Sequence, residues 1–380
     1  MKIILVAGAR PNFMKIAPVI GAIQQHNCSR KSGGVKIDYL LMHTGQHYDD
    51  AMSKTFFDDL NLPEPDIYLG VGSGSHAEQT GKVMMAFEQV CLQHSPNLVV
   101  VVGDVNSTLA CAVTAAKLRI PVAHIEAGLR SYDRSMPEEI NRILTDQVSD
   151  YLFTTCEDAN DNLRKEGVSA DKIHFVGNVM IDTLLKFRDC ALERIQVRMQ
   201  GRYALVTLHR PSNVDYQDVL QDIFEALTEV SQKLPVIFAV HPRTQKQIED
   251  FGVGKSFLVS DWDFIHKKSL SRTVYLLPPL PYLEFLHLLM HAECVLTDSG
   301  GIQEETTILN VPCLTLRENT ERPITVTEGT NFVVGNNTEK IVASVERILE
   351  SGIPPKKPAP RFWDGEAAER IIEVLSRISV

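Results

Sequence analysis

Short, continuous apolar runs recur along this chain, each ending in a glycine or a polar cluster and followed by a stretch of helical periodicity. In the first half Lys2–Ala7, Ile37–Met42, Leu98–Val102, Val122–Ile125 and Tyr151–Thr154 read as strands. Helical stretches lie between them, around Phe13–Gln25, Ala77–Gln93, Ser107–Lys117 and Glu138–Val148. Strands with no polar alternation are buried on both faces, which predicts parallel sheets covered by helices. The second half repeats the theme. Its candidate strands are Tyr203–Leu208, Val236–Val240, Thr273–Leu277, Cys294–Thr297, Pro312–Leu316 and Phe332–Val334, with helices near Val219–Gln232, Tyr282–His291 and Ile302–Leu309.

A chain of 380 residues exceeds one ordinary α/β core, so two consecutive doubly wound units are expected. The boundary falls between Met180 and Arg202, with the helical stretch after Asn178 carrying the chain across. A Pro-rich stretch, Ile353–Pro360, sets off the last helix, Glu366–Ile378, and such a break lets a terminal helix pack elsewhere. The formal net charge of −10 gives no overall basic field, so neither nucleic acid nor an anionic membrane is expected as a partner. Any phosphate must be held by a few local cations and helix ends. The apolar opening is far shorter than a membrane span and no signal-peptide cleavage pattern follows it. Seven scattered cysteines without a CxxC or Cys/His spacing predict reduced thiols, a cytoplasmic chain and no metal, with Cys111, Cys294 and Cys313 as small core residues.

In open α/β sheets ligands bind beyond the carboxyl ends of the strands. Following the strands in this chain come Gly8-Ala9-Arg10-Pro11, with Lys15 one helical turn on, His43-Thr44-Gly45-Gln46-His47, Gly103-Asp104-Val105-Asn106-Ser107-Thr108 and Glu126-Ala127-Gly128-Leu129-Arg130. The second half supplies His209-Arg210-Pro211-Ser212-Asn213, His241-Pro242-Arg243, Asp298-Ser299-Gly300-Gly301 and Arg317. Charged and imidazole groups thus gather at one edge in both halves.

Gly300 and Gly301 would let backbone approach a ligand, and the helix they open would offer N–H groups to phosphate oxygens. The same residues also fit a tight turn with an Asp or Ser cap. Glu305 would share the face of Gly301 one turn down, within reach of ribose hydroxyls. The spacing is neither GxGxxG nor a Walker loop, so no NAD or ATP is implied. Arg10 and Lys15 sit at a helix start, where the dipole disfavours cations unless an anion binds there. Asp104 and Glu126 are candidate acid–base groups, with helix capping as the plain alternative. Glu138 and Glu139 follow Pro137 at a helix start, where acidic residues are simply favourable, and Arg142 would make an ordinary ion pair with Glu138. His209, beside Arg210 at a strand end, stands out among the 12 histidines.

Nine ordered segments then resemble the non-hydrolysing UDP-N-acetylglucosamine 2-epimerases: GARPNFMKIAP (8–18), TGQH (44–47), GDVNST (103–108), HIEAGLRS (124–131), MPEEINR (136–142), GNVMID (177–182), HRPSN (209–213), DSGGIQEE (298–305) and TERP (320–323). The resemblance implies an α/β fold of two Rossmann-like domains in a GT-B arrangement with the ligand cleft between them. Residues 1–185 would form the first domain, completed by a C-terminal helix at 364–380, and 186–363 the UDP-binding second. It implies a homodimer that epimerises UDP-N-acetylglucosamine at C2 to UDP-N-acetylmannosamine, without a cofactor, for cell-envelope polysaccharide. UDP would be eliminated in the anti sense to leave 2-acetamidoglucal, then re-added. By matching position, Arg10, Lys15, His209, Ser299, Gly300, Gly301, Glu305 and Arg322 would hold UDP. Asp104, Glu126 and Glu138 would surround the sugar, and His209 would also steady the leaving phosphate.

The departures from that pattern are local. Many members of the family read GTRPEA and HRREN where this chain has GARPNF and HRPSN, and the stretch from Arg130 to Glu138 is shorter here by two residues. Gln46 and His47 remain from a second, activating substrate site, but Pro211 replaces an arginine of it. GARPxF and HTGQHxD also resemble enzymes that epimerise UDP-2,3-diacetamido-glucuronic acid. Two further alternatives share the fold: a hydrolysing epimerase that releases free N-acetylmannosamine, and a GT-B glycosyltransferase.

Overall fold

The computed structural model describes residues 1–29, 34–45, 62–194, 201–352 and 357–378, with the side chains of Arg10 and Arg194 left aside. Two compact units result: Met1–Leu185 together with Arg361–Val380, and Lys186–Pro360.

The first unit is built on a seven-stranded sheet: β1 (Lys2–Ala7), β2 (Asp38–His43), β3 (Ile67–Tyr68), β4 (Leu98–Val102), β5 (Val122–Ala127), β6 (Tyr151–Thr154) and β7 (Ile173–Phe175), in the spatial order β3-β2-β1-β4-β5-β6-β7. Every pairing is parallel. The pattern of the sequence explains why. All five residues of β4 are buried valines and leucine, and β1 is buried from Ile3 onward. Helices α1 (Arg10–Ser29), α2 (His76–His94), α3 (Asn106–Lys117), α4 (Pro137–Val148), α5 (Glu157–Lys165) and α6 (Val179–Arg194) connect the strands.

The second unit repeats this plan. Strands β8 (Ala204–Thr207), β9 (Val236–Ala239), β10 (Leu258–Val259), β11 (Val274–Leu277), β12 (Cys294–Thr297), β13 (Cys313–Thr315) and β14 (Asn331–Val333) run parallel in the order β10-β11-β9-β8-β12-β13-β14. Its helices include α7 (Pro211–Val214), α8 (Gln217–Ser231), α9 (Pro242–Phe251), α10 (Trp262–Lys267), α11 (Tyr282–His291), α12 (Gly300–Leu309), α13 (Ile324–Thr327) and α14 (Thr338–Ser351). The two Rossmann-like units expected from the apolar runs are therefore present. The elements the sequence did not reveal are the edge strands β3, β7 and β10, the charge-rich helices α5, α9 and α14 and the short helices α7, α10 and α13. Edge strands this short carry no continuous apolar run, and α5 (EDANDNLRK) buries only Ala159, Asn160 and Leu163.

Strand order fixes where a ligand can sit. Each sheet reverses direction once, between β1 and β4 in the first unit and between β8 and β12 in the second. Crevices open at the carboxyl ends of such switch points. Of all the polar strand ends in the sequence, this selects Gly8–Arg10 with Gly103–Asp104, and His209 with Asp298–Gly301.

The last helix, α15 (Ala367–Leu375), belongs to the first unit and packs on α1. Its N-terminal amides are capped by Asp182 of the GNVMID segment, with Ala367 N 3.1 Å and Ala368 N 2.7 Å from the two carboxylate oxygens. Trp363 Nε1 adds a bond to Thr155 O at 2.9 Å. Asp182→Ala should therefore lower the unfolding free energy by about 1–2 kcal/mol, as for other lost helix caps. Urea denaturation of the intact chain measures this, and an unchanged midpoint would remove Asp182 from the docking of α15.

Candidate active site

In the first unit, the turn after β1 is organised by Asn12. Its Oδ1 accepts from Gly8 N (3.0 Å) and Ala9 N (2.9 Å), while its Nδ2 donates to Val102 O (3.2 Å), tying the ends of β1 and β4 together. A Cβ at Gly8 would stand 2.6 Å from Ser107 Cβ, so only glycine permits this approach. Arg10 opens α1. Gln46 and His47, the candidates for a secondary site, lie outside the described residues.

Lys15, one turn into α1, is buried and paired with the carboxylate of Glu126. Glu126 is part of β5 rather than beyond it, and its backbone has φ +70°. Pairing of β5 with β6 shifts register between Ile125 and Ala127. The shift is a bulge-like irregularity at the carboxyl end of an interior strand, and such irregularities re-aim a side chain. Holding a non-glycine residue in this left-handed region costs on the order of 1 kcal/mol or more, a cost that clusters at functional sites.

Asp104, half-buried beyond β4, accepts from Arg142 NH1. Arg142 is 1% exposed and reaches Glu139 Oε2 from Nε (3.0 Å) and NH2 (2.6 Å). Where the sequence suggested an i, i+4 pair with Glu138, the structure shows Arg142 paired with Glu139 and with Asp104. Positions 139 and 142 share the inward face of α4, whereas Glu138 is half-buried in its first turn. Glu139 in turn accepts from Ser131 N (3.0 Å) and Tyr132 N (2.9 Å). Burial alone would raise its pKa, but the Ser131 amide and Arg142 outweigh burial and hold it below the ordinary glutamate value.

In the second unit, buried Asp298 accepts from His209 N (3.1 Å), Arg210 N (2.9 Å) and Asn213 Nδ2 (3.2 Å), and its Oδ1 lies 3.0 Å from His209 Nδ1. It fastens the turn after β8 to the end of β12, and does not cap α12. Ser299 occupies the cap position of α12 and makes no side-chain cap bond, so neither form of the capping alternative is found. A Cβ at Gly300 would fall on the guanidinium of Arg322 and stand 2.7 Å from Glu321 Oε1. Glycine here lets that arginine lie against the start of α12. Arg322 is buried between Glu304 (2.7 Å) and Glu321 (2.5 Å), and Arg317 also pairs with Glu321 (2.8 Å). Arg210 stands 3.7 Å from Glu321. Cations and helix amides therefore converge at one strand edge, an arrangement suited to an anion. His241 caps α9 and Arg243 pairs with Asp215, both local structural roles.

Glu305 is buried one turn into α12 and accepts from Tyr282 OH at 3.2 Å. Burial pushes its pKa up to about 8, with Glu304 adding in the same sense. Between the ordinary glutamate value of 4.5 and about 8 the folded chain holds this proton more tightly than the unfolded one. Stability should therefore fall as pH rises through that window. Glu305→Gln should lose this part of the slope in thermal melts between those limits, and parallel curves for the two proteins would contradict the assignment.

Asn12, Asn141, Tyr282 and Glu321 were not singled out from the sequence, and Glu139 was read only as a helix-start acid. A polar inward face at 139, 142 and 146 within one helix was the available signal, obscured by the acidic helix start at 138–139.

The family model described as UDP-N-acetylglucosamine 2-epimerase matches residues 30–376. A UDP-N-acetylglucosamine 2-epimerase from Methanocaldococcus jannaschii is 43% identical over 99% of each chain. Its crystal structure in complex with UDP-GlcNAc and UDP superposes with a TM-score of 0.87 over 99% of each chain. A UDP-2,3-diacetamido-2,3-dideoxy-D-glucuronate 2-epimerase from Pseudomonas aeruginosa is 41% identical over 100% of each chain. The UDP-GlcNAc 2-epimerase from Neisseria meningitidis, bound to UDP-GlcNAc, superposes with a TM-score of 0.82 at 29% identity over 100% of each chain.

Proposed function

Because the chain belongs to the UDP-N-acetylglucosamine 2-epimerase family, we propose that it interconverts UDP-N-acetylglucosamine and UDP-N-acetylmannosamine. The observation that carries this reading is the pair of carboxylates, Asp104 and Glu126, each ion-paired at the edge where the first sheet reverses. The C2 proton is not adjacent to a carbonyl, so its direct abstraction is very unfavourable. Departure of the anomeric diphosphate makes the ring cationic and acidifies that proton. A carboxylate takes the proton as the C1–O bond to UDP breaks, giving the C1–C2 double bond of 2-acetamidoglucal. Return of a proton to the opposite face of C2, with UDP re-adding at C1, completes the inversion.

In this reading Asp104, Glu126 and Glu138 serve the hexose. Arg10, Lys15, His209, Arg322 and the amides at Ser299, Gly300 and Gly301 hold the diphosphate, and Glu305 takes the ribose. Glu305→Ala should weaken UDP binding measured by calorimetry, and an unchanged affinity would remove the ribose contact. We further propose a cytoplasmic homodimer. Seven free thiols suit a reducing compartment, and α2 keeps Met85 and Leu92 exposed one heptad apart on its outer face. Light scattering should return twice the mass of the chain.

The 41% identity to the diacetamido-glucuronate enzyme favours that sugar as the second reading. Proton NMR of each UDP-sugar incubated with enzyme in deuterated water separates the readings. UDP-N-acetylmannosamine carrying deuterium at C2 is expected. Turnover of the diacetamido-uronate alone would install the second substrate, and net release of free N-acetylmannosamine would replace epimerisation by hydrolysis.

A further inference from the structure

Three consecutive backbone carbonyls at the end of β4 are each held by side chains. Val102 O accepts from Asn12 Nδ2 (3.2 Å) and Thr108 Oγ1 (2.9 Å), and Asp104 O accepts from Asn141 Nδ2 (2.8 Å). Between them, Gly103 O lies 2.8 Å from Nε2 of His124 on β5. Gly103 itself has φ +69°, so the turn that presents Asp104 depends on a left-handed glycine and on these clamps. His124 is the one clamp among the four that can carry charge.

His124 is 0% exposed, and its other ring nitrogen, Nδ1, lies 2.7 Å from Asp146 Oδ1. The second oxygen of Asp146 accepts from Gly128 N (3.0 Å) and from Arg130 (2.7 Å). Arg130 is in turn bound to Glu166 at the end of α5. Burial would raise the pKa of Asp146, but His124 and Arg130 outweigh it and hold the group below the ordinary aspartate value. With Gly128 N and Arg130 donating to it, Asp146 stands as a carboxylate and an acceptor, and a backbone carbonyl can only accept. Both ring nitrogens of His124 face acceptors. A neutral imidazole would turn a lone pair towards one of them.

We propose that His124 is a positioning residue: a doubly protonated imidazolium, wedged between Asp146 and the Gly103 carbonyl, that fixes the direction of the Asp104 carboxylate. It touches no reacting atom. The charged groups that face it are Asp146 from α4, Arg130 from the loop after β5 and, behind that arginine, Glu166. A charged donor strengthens the bond to Gly103 O, and a neutral amide, whose two N–H donors sit on one nitrogen, does not face the two acceptors from opposite sides as the ring does. The inference rests on Asp104 taking part in proton transfer, as proposed above.

The test is nitrogen-15 NMR of the full chain at pH 8, with the His124 ring assigned through its through-bond correlations to the His124 backbone. Protons on both ring nitrogens are expected, and a ring carrying one proton would overturn the proposal whether or not the variant folds. H124Q keeps a single donor nitrogen and loses the charge. Its kcat should fall roughly 10- to 100-fold, the equivalent of one hydrogen bond to a charged group. UDP affinity should not change, and a variant with the parental kcat would also overturn the proposal. The underlying reading fails separately, if Asp104→Asn keeps full activity.

Discussion

Asp104→Asn should lower turnover by about a hundredfold or more, the range for loss of a general acid–base group, while UDP binding stays nearly unchanged. Asparagine has the shape of aspartate and can still receive Arg142 through its amide oxygen. The backbone clamp from Asn141 to residue 104 acts on the carbonyl and is untouched by the substitution. What disappears is an anion able to take a proton. Arg322 and Glu305, which the proposed reading gives to the nucleotide, belong to the second unit, so nucleotide affinity should persist. Steady-state turnover and calorimetric titration with UDP together decide the matter. Full turnover in the variant would remove Asp104 from the chemistry, and joint loss of turnover and UDP affinity would make its role structural.

The second large effect is expected at Arg142. Its guanidinium joins Asp104 to Glu139, and Glu139 in turn anchors the amides of Ser131 and Tyr132. Arg142→Met fills the space but leaves a buried carboxylate at Glu139 without its cation. Breaking a buried pair from one side costs about 3–5 kcal/mol, so urea denaturation should show a loss of that order. Turnover should fall as well, because Asp104 loses its guanidinium donor. Arg142→Lys is a control for charge alone. A lysine cannot reach both carboxylates with parallel N–H donors, so it should recover part of the stability and little of the turnover. A methionine variant as stable as the parent would show that the network is not load-sharing.

Much of this site is visible in sequence because local pattern marks where strands end. An unbroken apolar run such as Leu98–Val102 must be buried, and the first polar residues after it must emerge at a sheet edge. Gly103-Asp104 and Asp298-Ser299-Gly300-Gly301 are legible for that reason. Chemical roles are less legible. Glu138 and Glu139 look alike at a helix start, yet Glu139 is buried in an ion network with Arg142 while Glu138 is half-buried. Three to four residues per turn decide this, and a single position rotates a side chain by about 100°. Glu126 reads as a residue just past a strand, whereas a bulge within β5 holds it at positive φ. Nothing in HIEAGLRS announces that bulge, because it arises from the pairing of β5 with β6.

By itself the sequence determined the alternation of buried strands and amphipathic helices, the two-unit plan and the identity of the groups placed at the strand ends. Those follow from burial and periodicity, which act over a few residues. Only the tertiary structure decided that β1 lies beside β4 and β8 beside β12, so that particular strand ends become neighbours. It also decided that Asp182 caps a helix 185 residues away. Strand order and such contacts depend on packing between segments far apart in the chain, and no local pattern encodes them.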